Sequence, residues 1–219
     1  MRRLLPDPAA DVEIITSYTA HRPRPTDRPW VGICMVASLD GSTVVDHSST
    51  GLSSAADQQV LSSLRRLADL IIVGAGTVRA EGYGPPRKPG QRIGVVSRTG
   101  SLDLDTPLFT SGSGFLIVPH DAPPLAVHTV RAGHGNVDLA EALAQLDVDF
   151  VQAEGGARLN GALVEADLVD ELNLTWSPQL AGGDGPRLAV GSPPATRRME
   201  LVQLLEDDGF LFSRYVRSR

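Results

Sequence analysis

The chain has 219 residues, 42% of them hydrophobic and 21% charged. That length suits one domain and that composition can bury a core, so the chain is neither disordered nor membrane-embedded. Twenty Lys and Arg against 26 Asp and Glu leave a formal charge of −6, which argues against the basic face that nucleic acid or an acidic membrane would need. A small molecule is the expected partner.

The first 29 residues, with Pro23, Pro25 and Pro29, lack sustained periodicity and are read as a lead-in arm before a single domain over 30–219. Trp30 to Ser38 is a short apolar run suited to a buried strand. Asp40-Gly41 then turns the chain toward Thr43 to Val45. From Ser54, apolar residues at 56, 60, 61, 64, 67 and 68 recur at helical spacing, with Ser54 and Asp57 as N-terminal caps. On that reading Asp57 is a cap rather than a catalyst.

Leu70 to Val73 is a second buried strand, and Gly74-Ala75-Gly76-Thr77 opens a short helical or turn segment. Gly82 to Gly90 is rich in Gly and Pro and reads as loop. Strands are expected at Ile93 to Val96, Phe115 to Val118, Phe150 to Gln152 and Glu171 to Trp176, and helices at Asp138 to Leu146 and Ala157 to Ala166. Strand and helix in alternation build right-handed crossovers and a mainly parallel sheet. Met199 to Leu205 and Phe210 to Val216, separated by Glu206-Asp207-Asp208-Gly209, predict a closing antiparallel hairpin.

In an open α/β sheet, ligands sit beyond the carboxyl ends of the strands. Two glycine-rich entries to helices fall there, Gly74 to Arg79 and Glu154 to Gly161, and free helix-start N–H groups make each a candidate anion site. Together they suit a pyrophosphate. The dinucleotide fingerprint is incomplete, because Arg79 stands where Gly or Ala belongs. Ser97-Arg98 follows another strand and could meet a phosphate. Asp40 and Glu154 are candidate site acids, whose plainer roles are turn formation and helix-dipole complementation.

Cys34 is the one cysteine, so no internal disulfide is possible, and it reads as an inert thiol in a buried strand. The five histidines show no metal-binding spacing, and no metal is expected. A phosphate-loop motif and a serine nucleophile elbow are both missing. With no signal peptide or membrane span in the sequence, cytoplasm is the default location. The residues by themselves lead to an α/β enzyme for a phosphorylated small molecule or nucleotide.

Ala37-Ser38-Leu39-Asp40-Gly41, Leu64-Arg65, Ala68-Asp69, Val73 to Glu81 (VGAGTVRAE) and Glu154 to Leu159 (EGGARL) occur in that order. Together they resemble the reductase domain of riboflavin biosynthesis, the RibD C-terminal family with the dihydrofolate reductase fold. The resemblance covers about residues 30 to 216. It implies NADPH-dependent reduction of 5-amino-6-(5-phosphoribosylamino)uracil to its ribitylamino counterpart, by a standalone reductase without the family's zinc deaminase half, and a homodimer.

Carried over by motif, the nicotinamide end rests near Val36 and Ala37. The rest of the cofactor is expected to touch Gly74, Ala75, Gly76, Thr77, Glu81, and the run Gly155, Gly156, Ala157, Arg158, Leu159, Asn160 and Gly161. Ser97 and Arg98 fall where the adenosine 2′-phosphate is read. Ser38, Ser49, Arg65, Arg87 and Glu154 fall at substrate positions, and Glu154 and then Asp40 are the expected proton donors. Two departures stand out: Cys34 replaces a Lys of many relatives, and Glu81 replaces an Asp. They leave open a dihydrofolate-type or other NADPH reductase on the same fold, or a nucleotide-binding protein without catalysis.

Overall fold

In the computed structural model, which describes residues 1–194 and 196–218, ten strands form one sheet. In chain order they are β1 (Arg2–Leu5), β2 (Trp30–Ala37), β3 (Leu70–Gly74), β4 (Arg92–Val96), β5 (Gly114–Val118), β6 (Thr129–Arg131), β7 (Phe150–Ala153), β8 (Glu171–Trp176), β9 (Met199–Asp207) and β10 (Phe210–Arg217). The helices are α1 (Ile14–Tyr18), α2 (Ala55–Leu67), α3 (Ala75–Glu81), α4 (Pro107–Thr110), α5 (Leu139–Ala144) and α6 (Ala157–Glu165). The sheet order is β1-β9-β10-β8-β2-β7-β3-β4-β5-β6. Neighbours from β8 to β6 pair in parallel, and β10, β9 and β1 close the other edge antiparallel. This is the mainly parallel sheet with a C-terminal hairpin that the sequence predicts.

The central strands read as unbroken apolar runs because both faces are covered. Val31, Ile33, Ile72, Val151 and Ile117 face Leu139 and Leu143 of α5 and Leu159 and Leu163 of α6. The opposite face carries Ile71, Val73, Ile93 and Val95, which meet Val78 of α3 and Leu108 and Phe109 of α4. Val60 and Leu64 of α2 pack with Tyr18, Leu205 and Phe212. α2 is capped by Ser54 as the sequence predicts, Oγ accepting from Asp57 N, whereas Asp57 is no cap itself; at α5, Asp138 stands just outside the helix as its cap, Oδ1 accepting from Glu141 N. The hairpin turns on Asp208 and Gly209, both at positive φ, so β9 runs two residues further than its apolar pattern.

Ordered structure begins at Arg2 rather than Trp30. β1 pairs with β9, and Tyr18 of α1 is buried in the core. Arg22 makes a bidentate pair with Glu171, at 2.9 and 2.8 Å, and Arg28 another with Asp170, at 2.5 and 3.0 Å. Four short elements escape the sequence pattern: β1, α1, α4 and the three-residue β6. Each has five residues or fewer, too few to display a period.

Candidate active site

The loops that leave β3 and β7 meet at the carboxyl end of the sheet. Gly74 N donates to Gly155 O at 2.7 Å, and a Cβ on Gly156 would lie 2.8 Å from Thr77 Oγ1. Gly155 has φ +75°, a conformation that favours glycine. Two cavities open on either side of this contact and share Gly76, Thr77, Gly156, Ala157 and Pro186 as a common wall.

The outer one is a groove of about 1220 Å³, lined by the β3–α3 loop, Ser97 and Arg98 after β4, and the start of α6. α6 begins at Gly156 without a side-chain cap, which leaves its first N–H groups free for an anion. A Cβ on Gly76 would meet nothing within 4 Å, so the groove has open space above that backbone. Arg79, Arg98 and Arg158 line it and are exposed. This shape and charge suit a dinucleotide.

The inner cavity, about 230 Å³, lies between β2, α2, α3 and the end of β7. Glu154 forms part of its wall, and its carboxylate accepts from Arg65 Nε at 2.7 Å, a terminal Arg65 nitrogen at 2.6 Å and Tyr83 Oη at 2.9 Å. Burial pulls the Arg65 guanidinium down, but the hydrogen bond and charge of Glu154 outweigh it and hold Arg65 firmly protonated. Burial and then the Glu154 charge push the Tyr83 phenol well up. Three donors on one carboxylate give Glu154 the geometry of an anchor for Arg65 and Tyr83 rather than of a free proton donor.

Of the other expected residues, Val36, Ser49 and Glu81 line the inner cavity, where Ser49 Oγ donates to Glu81 at 2.8 Å. Gly74, Ala75, Gly76, Thr77, Ser97, Arg98, Gly156, Ala157, Arg158 and Leu159 line the groove. Ala37, Ser38, Arg65, Arg87, Gly155, Asn160 and Gly161 line neither cavity, although Arg65 reaches the inner one's wall through its pair with Glu154. Asn160 donates to Leu188 O, and a Cβ on Gly161 would strike Val190 O at 2.1 Å. Arg87 is exposed.

The structure also corrects the expectation for Asp40. It lines neither cavity, and its carboxylate accepts from Ser38 Oγ, Ala181 N and Gly182 N. Those bonds, the Ser38 one foremost, lower it to about 2. An acid so committed ties one loop to another and has no proton to give near neutral pH.

Sequence reasoning missed Tyr83, Asp57 and the cavity face of Cys34. Tyr83 sits in a Gly/Pro-rich loop that shows no pattern. Asp57, Leu61 and Arg65 do carry one: they are four apart on α2, which puts them on one helix face, directed at the site. Burial first, and then the negative charges of Asp57 and Glu154, raise the Cys34 thiol well above its ordinary value.

A family model described as the RibD C-terminal domain matches residues 29–209. The chain belongs to this family. It is 28% identical over 198 residues to a 2,5-diamino-6-ribosylamino-4(3H)-pyrimidinone 5′-phosphate reductase from Methanothermobacter thermautotrophicus, a match covering 81% of this chain and 90% of that one. A riboflavin biosynthesis protein RibD from Bacillus amyloliquefaciens is 27% identical over 76% of this chain and 50% of its own, so the chain spans half of that relative. Among solved structures, a pyrimidine reductase-like protein from Corynebacterium diphtheriae superimposes with a TM-score of 0.81 at 23% identity, over 95% of this chain and all of that one. The RibD family fold, dihydrofolate reductase-like, is thus the fold of this chain.

Proposed function

We propose that this chain is a cytoplasmic, homodimeric reductase of riboflavin biosynthesis that uses NADPH to reduce a phosphoribosylaminopyrimidine to its ribitylamino counterpart. The observation that carries the reading is the pair of cavities joined at Gly76, Thr77, Gly156 and Ala157. A dinucleotide laid in the groove brings its reactive end to that shared wall, where a substrate in the inner cavity meets it. The 2,5-diamino-pyrimidinone named for one relative and the uracil implied by the sequence resemblance are the two forms of such a substrate.

The residues of the groove fit the cofactor. The start of α6 would hold the pyrophosphate. Ser97, Arg98 and Arg79 would read the 2′-phosphate, a dianion that a guanidinium fork and a hydroxyl suit. Bound NADPH supplies the hydride.

On the substrate, the C1′–O4′ bond opens as the exocyclic nitrogen forms an imine and its N–H proton passes to O4′. Hydride adds to C1′, and the nitrogen takes one proton from solvent. The protein's part is positioning: Thr77 and Gly156 set the separation of the two ligands, and Glu154 holds Tyr83 in the cavity wall and is itself fixed by Arg65 behind it. Asp40 takes no step.

Purified protein mixed with NADPH and either phosphoribosylaminopyrimidine should lose NADPH absorbance, and Arg65→Ala should slow that loss by at least about tenfold. Oxidation with dihydrofolate alone would overturn the substrate assignment. Equal affinity for NADH and NADPH would overturn the assignment of Ser97 and Arg98. A monomer mass in light scattering would overturn the dimer.

A further inference from the structure

Three carboxylates line the inner cavity, and the structure treats them differently. Glu154 is matched by Arg65 and Tyr83, and Glu81 accepts from Ser49. Asp57 is more than nine-tenths buried, yet it has no cationic partner among the described residues. One oxygen, Oδ2, accepts from Ser53 Oγ at 2.5 Å, and Ser53 in turn accepts from Gln58 Nε2 at 2.8 Å. That relay commits the Ser53 proton and fixes the carboxylate's orientation. Among the described residues Oδ1 accepts no hydrogen bond, and it belongs to a side chain on the cavity wall.

The plain role of an acid in the first turn of a helix is to complement the dipole. That role needs no burial and no cavity. The protein supplies one donor to this mostly buried carboxylate, from Ser53, and leaves the other oxygen open to the cavity, where solvent or a ligand must supply the rest. Cys34, next to it in the wall, brings no positive charge.

The two forms of the proposed substrate differ at ring position 2. On its C2–N3 edge the 2,5-diaminopyrimidinone presents two adjacent donors, the 2-amino group and N3–H. The uracil presents on that edge a single N3–H flanked by two carbonyl oxygens. A fixed carboxylate matches the first edge and faces an unpaired lone pair on the second.

We propose that Asp57 is the specificity-determining residue of this cavity, accepting from the 2-amino group and N3–H and selecting the 2,5-diaminopyrimidinone over the uracil. The inference rests on the reductase reading above and refines it.

The test is kcat/KM for both pyrimidines with wild type, Asp57→Asn and Ser53→Ala, with far-ultraviolet spectra to show that each variant folds. Wild type should favour the diaminopyrimidinone by at least about tenfold, the discrimination expected when a site's acceptor is left facing a carbonyl. Asn offers one acceptor and one donor, which match N3–H and C2=O, so Asp57→Asn should cut the diamino substrate by about tenfold or more and spare the uracil. Ser53→Ala should shift the ratio the same way by less.

Equal losses for both substrates, or an unchanged ratio, would overturn the role of Asp57 and leave the reductase reading standing. If wild type reduces neither pyrimidine, the reductase reading falls, and binding of the bare rings decides the role. Wild type binding 2-amino-4(3H)-pyrimidinone more tightly than uracil, with the preference lost in Asp57→Asn, upholds it; equal binding overturns it.

Discussion

Replacing Arg22 by Ala tests whether the N-terminal 29 residues are part of the fold's core. Arg22 is 7% exposed and Glu171 fully buried; the pair is bidentate, and the Arg22 guanidinium also lies 4.4 Å from the Phe150 ring centroid. Breaking a buried pair by removing one partner costs about 3–5 kcal/mol, and loss of a cation–π contact adds about 0.5–1. Arg214 still bonds Glu171 at 3.0 Å, which keeps the loss toward the low end, about 3–4 kcal/mol. For a chain of this size each kcal/mol moves Tm by about 2–4 °C, so the variant should melt roughly 6–16 °C lower.

Arg24→Ala is the control: Arg24 pairs with Asp147 and Asp149 at the surface, and such pairs are worth about 0–1 kcal/mol. Glu171 adds a pH signature. Burial pushes its carboxyl up, but Arg214 and Arg22 outweigh burial and hold it below its ordinary value. A depressed carboxyl contributes stability that is full above its unfolded pKa, about 4.3, and lost as pH falls through the folded value. The Tm gap between wild type and Arg22→Ala should therefore narrow below about pH 4. Thermal melts that put Arg22→Ala with Arg24→Ala at pH 7 would refute the claim that this segment is core.

Three further outcomes follow from local geometry. A Cβ on Gly94 would lie 2.7 Å from Phe115 Cζ and 3.0 Å from Ile117 Cδ1, so Gly94→Ala should cost about 1–3 kcal/mol in urea titration, whereas Gly84→Ala, with open space, should cost none. Tyr83→Phe removes one of three donors to Glu154 and should lower stability by about 1–2 kcal/mol, while NADPH affinity, read by fluorescence titration, stays the same because Tyr83 lines only the inner cavity. Cys34, its thiol raised first by burial and then by Asp57, should resist iodoacetamide at pH 8 and react only after unfolding, as mass spectrometry would show.

The elements legible in the sequence are those whose environment imposes a long, consistent pattern. β3 and β5 are apolar throughout because helices cover both faces, and α2 shows its period over 13 residues. β1 and α1 are held by distant partners, β9 and the Arg22–Glu171 pair, which no local window contains. The same division applies to the site. Glycines that end strands announce the groove, since a close approach of backbone to ligand needs them. Asp40 misleads because a turn acid and a catalytic acid look alike until their partners are known. Asp57 was hidden by the expectation that it caps the helix: the cap is Ser54, which accepts from the Asp57 N–H, and only the fold shows that the Asp57 carboxylate turns to Ser53 and the cavity.

The two cavities also differ in charge, and that difference orders the ligands. The groove is lined by Arg79, Arg98 and Arg158 against one acid, Glu165, whereas the inner cavity is lined by His47 and by Asp57, Glu81 and Glu154, of which Glu154 is matched by Arg65. A phosphate drawn to about 5 Å from an unpaired carboxylate would cost roughly 3 kcal/mol per charge at an effective dielectric of 20. In the function proposed above, the polyanionic cofactor would therefore be steered to the groove. A phosphorylated substrate that enters the inner cavity must do so ring first, leaving its phosphate toward the mouth. In the function proposed above, that order would place the donor edge of the ring at Asp57 and leave the ribosylamino carbon behind it, toward the wall shared with the groove.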